Sequence, residues 1–329
     1  MNRTQELQGH GACGGCVSIL NGIPLGVGAA LGIDLPAHAR VRVELGGAPD
    51  GSVGETLVDL RNGVAIADHR VPRAVAATLS RCVGQRIDVR EAAIDVPIPM
   101  GVGLKTSSIS CVALTRAMLA AVGTRVSAEA ELRLAVSAAL SAGVTRTGAL
   151  DDTAGAALGG LVVANVRTHA IVRHWTEPPL AGHVLGSLRV IIAVPRDDVA
   201  VPSAQVGAHL FDRVHPLLQR AQDAALAGEL VAAWTDNGTA VAQALGQSQA
   251  QGIQQRMLSL GALAAGVSGT GPAVAGLTTV GGAAAIVEGL EGVSTELHQL
   301  RPASVQLRVG ALPPLEEVLA GARGGGVRT

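Results

Sequence analysis

The sequence predicts an α+β fold in two domains, and three observations carry that expectation. A chain of 329 residues that is 48% hydrophobic, with positive mean hydropathy, can bury one large core or two ordinary ones. Short strands and helices are mixed through the first half. Near Glu177-Pro178-Pro179 the pattern resets, which places a boundary close to residue 182 and gives units 1–182 and 183–329.

Taken in order, Val41, Val43 and Leu45 alternate with Arg40, Arg42 and Glu44, the pattern of a half-buried strand. Gly46 to Gly51 reads as a turn, Val53 to Leu60 as a strand, and Arg61-Asn62-Gly63 as a second turn. Val71 to Val83 is a helix and Arg86 to Val89 a strand leading towards a Pro-rich loop. Thr106 to Val122 is a helix stopped by Gly123. Ser127 caps the next helix, with Glu129 and Glu131 in its first turn and Gly143 at its end. After Gly159-Gly160, the runs Leu161 to Ala164 and Ala170 to Val172 read as paired strands. Beyond the boundary come a strand (Leu188 to Val194), helices to about Leu263, a glycine-rich interruption, a strand, a helix (Ala283 to Leu290) and a last strand (Val305 to Val309). The tail after Ala322 is expected to be disordered.

Composition narrows the partners. The formal charge is −1 and the arginines are scattered, so neither nucleic acid nor an anionic membrane is an expected partner. There is no Tyr, one Phe and two Trp, which leaves almost no platform for stacking bases. No apolar run reaches the length of a membrane span and the N-terminus lacks a signal layout, so a cytoplasmic location is expected, as a monomer or homodimer. Cys13-Gly14-Gly15-Cys16 has redox spacing and could equally be a zinc half-site. No second ligand pair completes it, and we read it as small buried residues in a Gly-rich turn.

Three segments carry chemistry. Pro99-Met100-Gly101-Val102-Gly103-Leu104-Lys105-Thr106-Ser107-Ser108 opens a helix. Its glycines let backbone approach a phosphate, the helix start offers open N–H groups, and Lys105 can neutralise charge. Thr106, Ser107 and Ser108 supply hydroxyls for phosphate or Mg²⁺. Leu104 stands where a Walker A loop needs Gly, and an ordinary glycine turn with a Ser/Thr cap would look similar. Lys105 is the only lysine among 25 basic side chains. The second segment is Thr147-Gly148-Ala149-Leu150-Asp151-Asp152, which offers either a carboxylate for a substrate hydroxyl or an Asp cap on a helix from Thr153. The third is Ser268-Gly269-Thr270-Gly271-Pro272, a second glycine-rich turn.

Their order and spacing resemble the GHMP kinase superfamily. Gly103-Leu104-Lys105-Thr106-Ser107 stands in place of that family's Gly-Leu-Gly-Ser-Ser, with Lys for its second Gly. Together with Thr147 to Asp152, Ile19 to Asp34 and Val267 to Ala273, it looks most like the archaeal-type shikimate kinase branch. The resemblance implies a ribosomal-protein-like N-terminal domain and a ferredoxin-like C-terminal domain with ATP between them. It implies ATP and Mg²⁺ as cofactors, a shikimate-like hydroxylated substrate, Gly101 to Ser108 around the phosphates and Ser107 on Mg²⁺. Asp152 then matches the catalytic aspartate, with Asp151 one step away, and Gly269, Thr270 and Gly271 close over the phosphates. Alternatives are a kinase of a cyclitol or another hydroxy acid, and a non-catalytic metabolite sensor. The chain departs from the family pattern at Ser141-Ala142-Gly143, where many relatives carry a metal-binding Glu, and at Arg146. Arg146 and Arg116 are candidates for a substrate carboxylate, Arg146 equally a surface arginine. His10, Cys13 and Cys16 lie where substrate-side backbone is expected.

Overall fold

In the computed structural model, residues 5–46, 58–97, 101–178, 182–196, 201–292, 294–300 and 310–311 are described, with positions 180, 198, 316 and 317. The chain begins with β1 (Gln5–Leu20), a one-turn helix α1 (Gly22–Leu25) and β2 (Val27–Leu45), which form a long antiparallel ribbon. Next come β3 (Val58–Arg61), β4 (Val64–Ala65), α2 (Arg70–Val83) and β5 (Ile87–Asp95). Three helices follow, α3 (Thr106–Ala121), α4 (Ala128–Ser141) and α5 (Leu150–Leu158), then the hairpin β6 (Leu161–Asn165) and β7 (Ala170–Trp175).

The remainder comprises β8 (Leu188–Pro195), α6 (His215–Ala227), α7 (Leu230–Leu245), α8 (Ser248–Ser259), β9 (Ala264–Val267), β10 (Val274–Thr279), α9 (Ala283–Leu290), β11 (Ser294–Leu300) and β12 (Gly310–Ala311). Among the described residues the strands make two sheets. One runs β12-β7-β6-β2-β5-β3-β4 with β1 on the other edge of β2; the second runs β11-β8-β10-β9. Most pairs are antiparallel, and β3 lies parallel to β5.

The first sheet has one wet face. Along β2, Asp34, Pro36, His38, Arg40 and Arg42 are exposed while the residues between them are buried. On the buried face α3 packs against β1 and β2, and twelve of its sixteen residues are buried, which makes it a core helix. Its approach is close because β1 carries glycines there: a Cβ on Gly9 or Gly11 would land on the carbonyl oxygens of Ala117 or Ala113.

Several expectations hold. The helix over Val71–Val83, the Ser127 cap accepting from the Ala130 amide, and the Ala283–Leu290 helix all form. Asn62 and Gly63 make the turn between β3 and β4 with positive φ at both positions. Others need correction. The Cys13–Cys16 segment is not a turn: it lies inside β1, at a bulge between Cys13 and Gly15. The strand seen at Arg40–Leu45 extends back to Val27, and β11 was not anticipated. Of the expected strand at 53–60 only 58–60 are described; the turn at 47–51, the strand at 305–309 and the tail after 322 lie outside the described residues. No described helix is long and apolar enough to cross a membrane.

Candidate active site

Two helices begin at the same place, and both begin unusually. The residue ahead of α3 is Lys105, at φ 64° and ψ 21°; the residue ahead of α5 is Ala149, at φ 46° and ψ 54°. Left-handed backbone is strained for any side chain, and such strain persists where the surrounding structure holds it. No side chain caps either helix, so the first-turn amides of α3 (Thr106, Ser107 and Ser108) have no intrahelical partner and face a cleft. Upstream of α5 the Thr147 hydroxyl accepts from the Ala149 amide at 3.2 Å, and His169 Nε2 lies 3.2 Å from the Thr147 carbonyl. This turn sets the start of α5 at Leu150.

The expected cap by an aspartate on a helix from Thr153 is therefore corrected. Asp151 and Asp152 sit inside the first turn of α5, both buried, both lining the cleft. Lys105 Nζ lies 3.0 Å from Asp152 Oδ2, with only 10% and 9% of the two side chains exposed. Ser18, at the end of β1, donates its hydroxyl to Asp152 Oδ1 at 3.3 Å. Burial alone would push the Lys105 ammonium down, but the charges of Asp152 and Asp151 outweigh it and hold it above its ordinary value. Asp151 moves the other way for a carboxyl. Burial pushes it up to about 8, the neighbouring Asp152 charge adds to this, and Lys105 counters only in part.

The third segment closes the cleft from the second sheet. The Ser268 hydroxyl donates to the Gly103 carbonyl at 3.1 Å and accepts from the Ser18 amide at 3.1 Å. The Ala273 amide donates to the Val102 carbonyl at 3.0 Å. Asn21 donates to the Gly269 carbonyl and accepts from the Ile23 amide, while its own amide donates to the fully buried Asn237. Thr270 donates its hydroxyl to the Val201 carbonyl at 2.7 Å, and Gln247 holds the Thr270 carbonyl at 2.8 Å.

Thus Gly101, Gly103, Lys105, Thr106, Ser107, Ser108, Asp151, Asp152, Gly269 and Thr270 share one cleft. Val102 packs against the core and Leu104 lies within it; both anchor the loop from behind and do not line the cleft. Gly271 does not line it either, since its missing side chain makes room for Gln247. Pro99 lies outside the described residues. Arg146 reaches the rim of the cleft, exposed. Arg116 does not: it is held by Glu131 at 2.8 Å and by the Ala12 and Ala157 carbonyls, so its proposed role towards a substrate carboxylate is corrected to a structural one. His10 faces the wet side of the sheet. Cys13 and Cys16 turn inward, their thiols donating to the carbonyls of Ile109 and Asp152; burial pushes both thiols up, Cys13 to about 12. They are therefore poor nucleophiles.

Ser18, Asn21, Ser268 and Asn237 hold the site together; Ser268 and Asn21 lay in segments singled out from the sequence but without a role, and Ser18 and Asn237 went unassigned. Asn21 carried a signal, as a cap before Gly22-Ile23-Pro24. Ser18 carried none. The donor set suits a phosphate chain: open helix amides, glycine backbone, hydroxyls and one ammonium. Among the described residues no three His, Cys, Asp or Glu gather as a metal site.

The comparisons agree with this geometry. The family model "GHMP kinases N terminal domain" matches residues 70–160. A shikimate kinase of Pyrococcus abyssi is 32% identical over 268 residues, 81% of this chain and 90% of the relative. A shikimate kinase of Aeropyrum pernix is 34% identical over 271 residues, 80% of this chain and 88% of the relative. Among solved structures, a homoserine kinase from Cytophaga hutchinsonii superposes with a TM-score of 0.63 at 18% identity, covering 93% of this chain and 97% of that one. With the three segments in one cleft and relatives matched along most of their length, the chain belongs to the GHMP kinases, in the branch of the archaeal-type shikimate kinases.

Proposed function

We propose that the chain transfers the γ-phosphoryl group of ATP to the 3-hydroxyl of shikimate, giving shikimate 3-phosphate and ADP. The observation that supports it best is the Lys105–Asp152 pair, 3.0 Å apart and nearly enclosed, on the floor of a cleft closed by two glycine-rich loops. Asp152 orients the acceptor hydroxyl and takes its proton; Ser18 and Lys105 fix the carboxylate in place. The amides of Thr106, Ser107 and Ser108 and the Lys105 ammonium face the charge that develops on the transferring group. Ser107, with phosphate oxygens, would hold Mg²⁺, which when bound neutralises phosphate charge. In this reading Arg146, exposed at the rim of the cleft, meets the substrate carboxylate.

The test is ADP release in a coupled assay with shikimate, homoserine, mevalonate and a cyclitol. Turnover of shikimate is expected; turnover of another alcohol but not shikimate overturns the substrate. Asp152→Asn is expected to lower kcat by about 10²- to 10⁴-fold while ATP binding persists. Equal loss of both would make Asp152 a structural residue.

A further inference from the structure

The phosphoryl-transfer geometry uses one of two adjacent carboxyls and leaves the other, Asp151, without an assignment. Asp151 is almost wholly enclosed, yet it borders the cleft. Its carboxyl lies over Gly28 of β2, in the space a side chain there would fill. Successive residues of a helix point roughly 100° apart, so Asp151 and Asp152 leave one backbone step in different directions and still border the same cavity.

No Lys, Arg or His side chain pairs with the Asp151 carboxyl among the described residues. Lys105 is held by Asp152, and the Cys16 thiol is turned onto the Asp152 backbone carbonyl. With burial raising its pKa to about 8, Asp151 keeps its proton at neutral pH. A neutral acid offers one donor and one acceptor, which matches a hydroxyl.

We propose that Asp151 reads the hydroxyl next to the one that is phosphorylated, so that the acceptor is recognised as a vicinal diol, with Asp152 on one oxygen and Asp151 on its neighbour. This rests on the shikimate reading, since shikimate carries a 4-hydroxyl beside its 3-hydroxyl. The backbone amides of Asp151 and Asp152 serve the acceptor side of the Asp151 carboxyl, so a substrate lacking that hydroxyl leaves the buried acid O–H without an acceptor, a situation in which sites reject an analogue.

The test compares kcat/KM for shikimate and 4-deoxyshikimate. Wild type is expected to favour shikimate by about 100-fold. Asp151→Ala is expected to bring the two within about threefold of each other, mostly through loss on shikimate. Asp151→Asn, which keeps a donor and an acceptor, is expected to retain most of the preference at a lower rate. ATP binding by calorimetry checks that each variant is folded. If Asp151→Ala does not fold, Asp151→Glu replaces it; moving the acid by one methylene is expected to lose the preference, and its survival overturns the proposal. A wild type that turns over both substrates alike, or an Asp151→Ala that slows both by one factor, also overturns it. A wild type with no shikimate turnover at all instead fails the reading on which it rests.

Discussion

Lys105 occupies a backbone conformation that glycine would hold without strain, and the family motif has glycine at that place. Replacing it separates two effects. Relief of a left-handed residue is worth about 1 kcal/mol, whereas stripping the partner from a buried carboxylate costs about 3–5 kcal/mol. Lys105→Gly is therefore expected to destabilise the fold by about 2–4 kcal/mol in urea unfolding. Adding Asp152→Asn should return most of that loss; additive losses would mean the pair is not coupled. Asp151 gives a pH signature. Its pKa in the folded state, about 8, exceeds its ordinary 3.8, so in that window the folded state keeps a proton the unfolded chain has lost. Stability from this group is complete below the lower value and is lost as pH rises through the upper one, with a slope of up to about 1.4 kcal/mol per pH unit. Asp151→Asn removes the slope, so its urea midpoint should gain on wild type from about pH 5 to about pH 8; parallel curves would show that Asp151 does not titrate there. Lys105 was legible from sequence as the lone lysine. Ser18 was not, because a serine closing a strand looks like any other until the fold sets Asp152 beside it.

At the level of elements, legibility followed glycine. The α4 helix was readable because Ser127 caps it and Gly143 follows it. The β1 strand was not, because Gly9, Gly11, Gly14 and Gly15 break the alternation and glycine is disfavoured in strands. Those at 9 and 11 are there for α3: they let its backbone sit against the sheet, which fixes where its N-terminus, and hence Lys105, points. Gly11→Val is expected to force α3 off β1, with a loss of about 3 kcal/mol or more in urea unfolding and a larger KM for ATP. An unchanged midpoint would mean the helix accommodates the branch. The start of α5 was set three residues late for a related reason. Nothing in Ala149 signals a left-handed residue, and the Thr147 turn that enforces it is a matter of hydrogen bonds rather than composition.

Across the whole molecule, segments near residues 103, 152 and 269 become one cleft because loops from two sheets are sewn together by Ser268 and Ala273. Their order along the chain was readable through the family resemblance; the seam was not, since it runs through backbone carbonyls. Gly103 is its tightest point, with φ 87° and no room for a side chain against the Ser268 carbonyl. Gly103→Ala is expected to raise KM for ATP about tenfold or more with a smaller change in kcat, an outcome steady-state kinetics at saturating shikimate would check. The use of arginine everywhere else has one more result. Besides the α-amine, the chain has a single primary amine, and it lies in the ion pair at the cleft floor. Acylation at Lys105, told apart from the α-amine by peptide mapping, therefore reports how often that pair parts, with no other lysine to react.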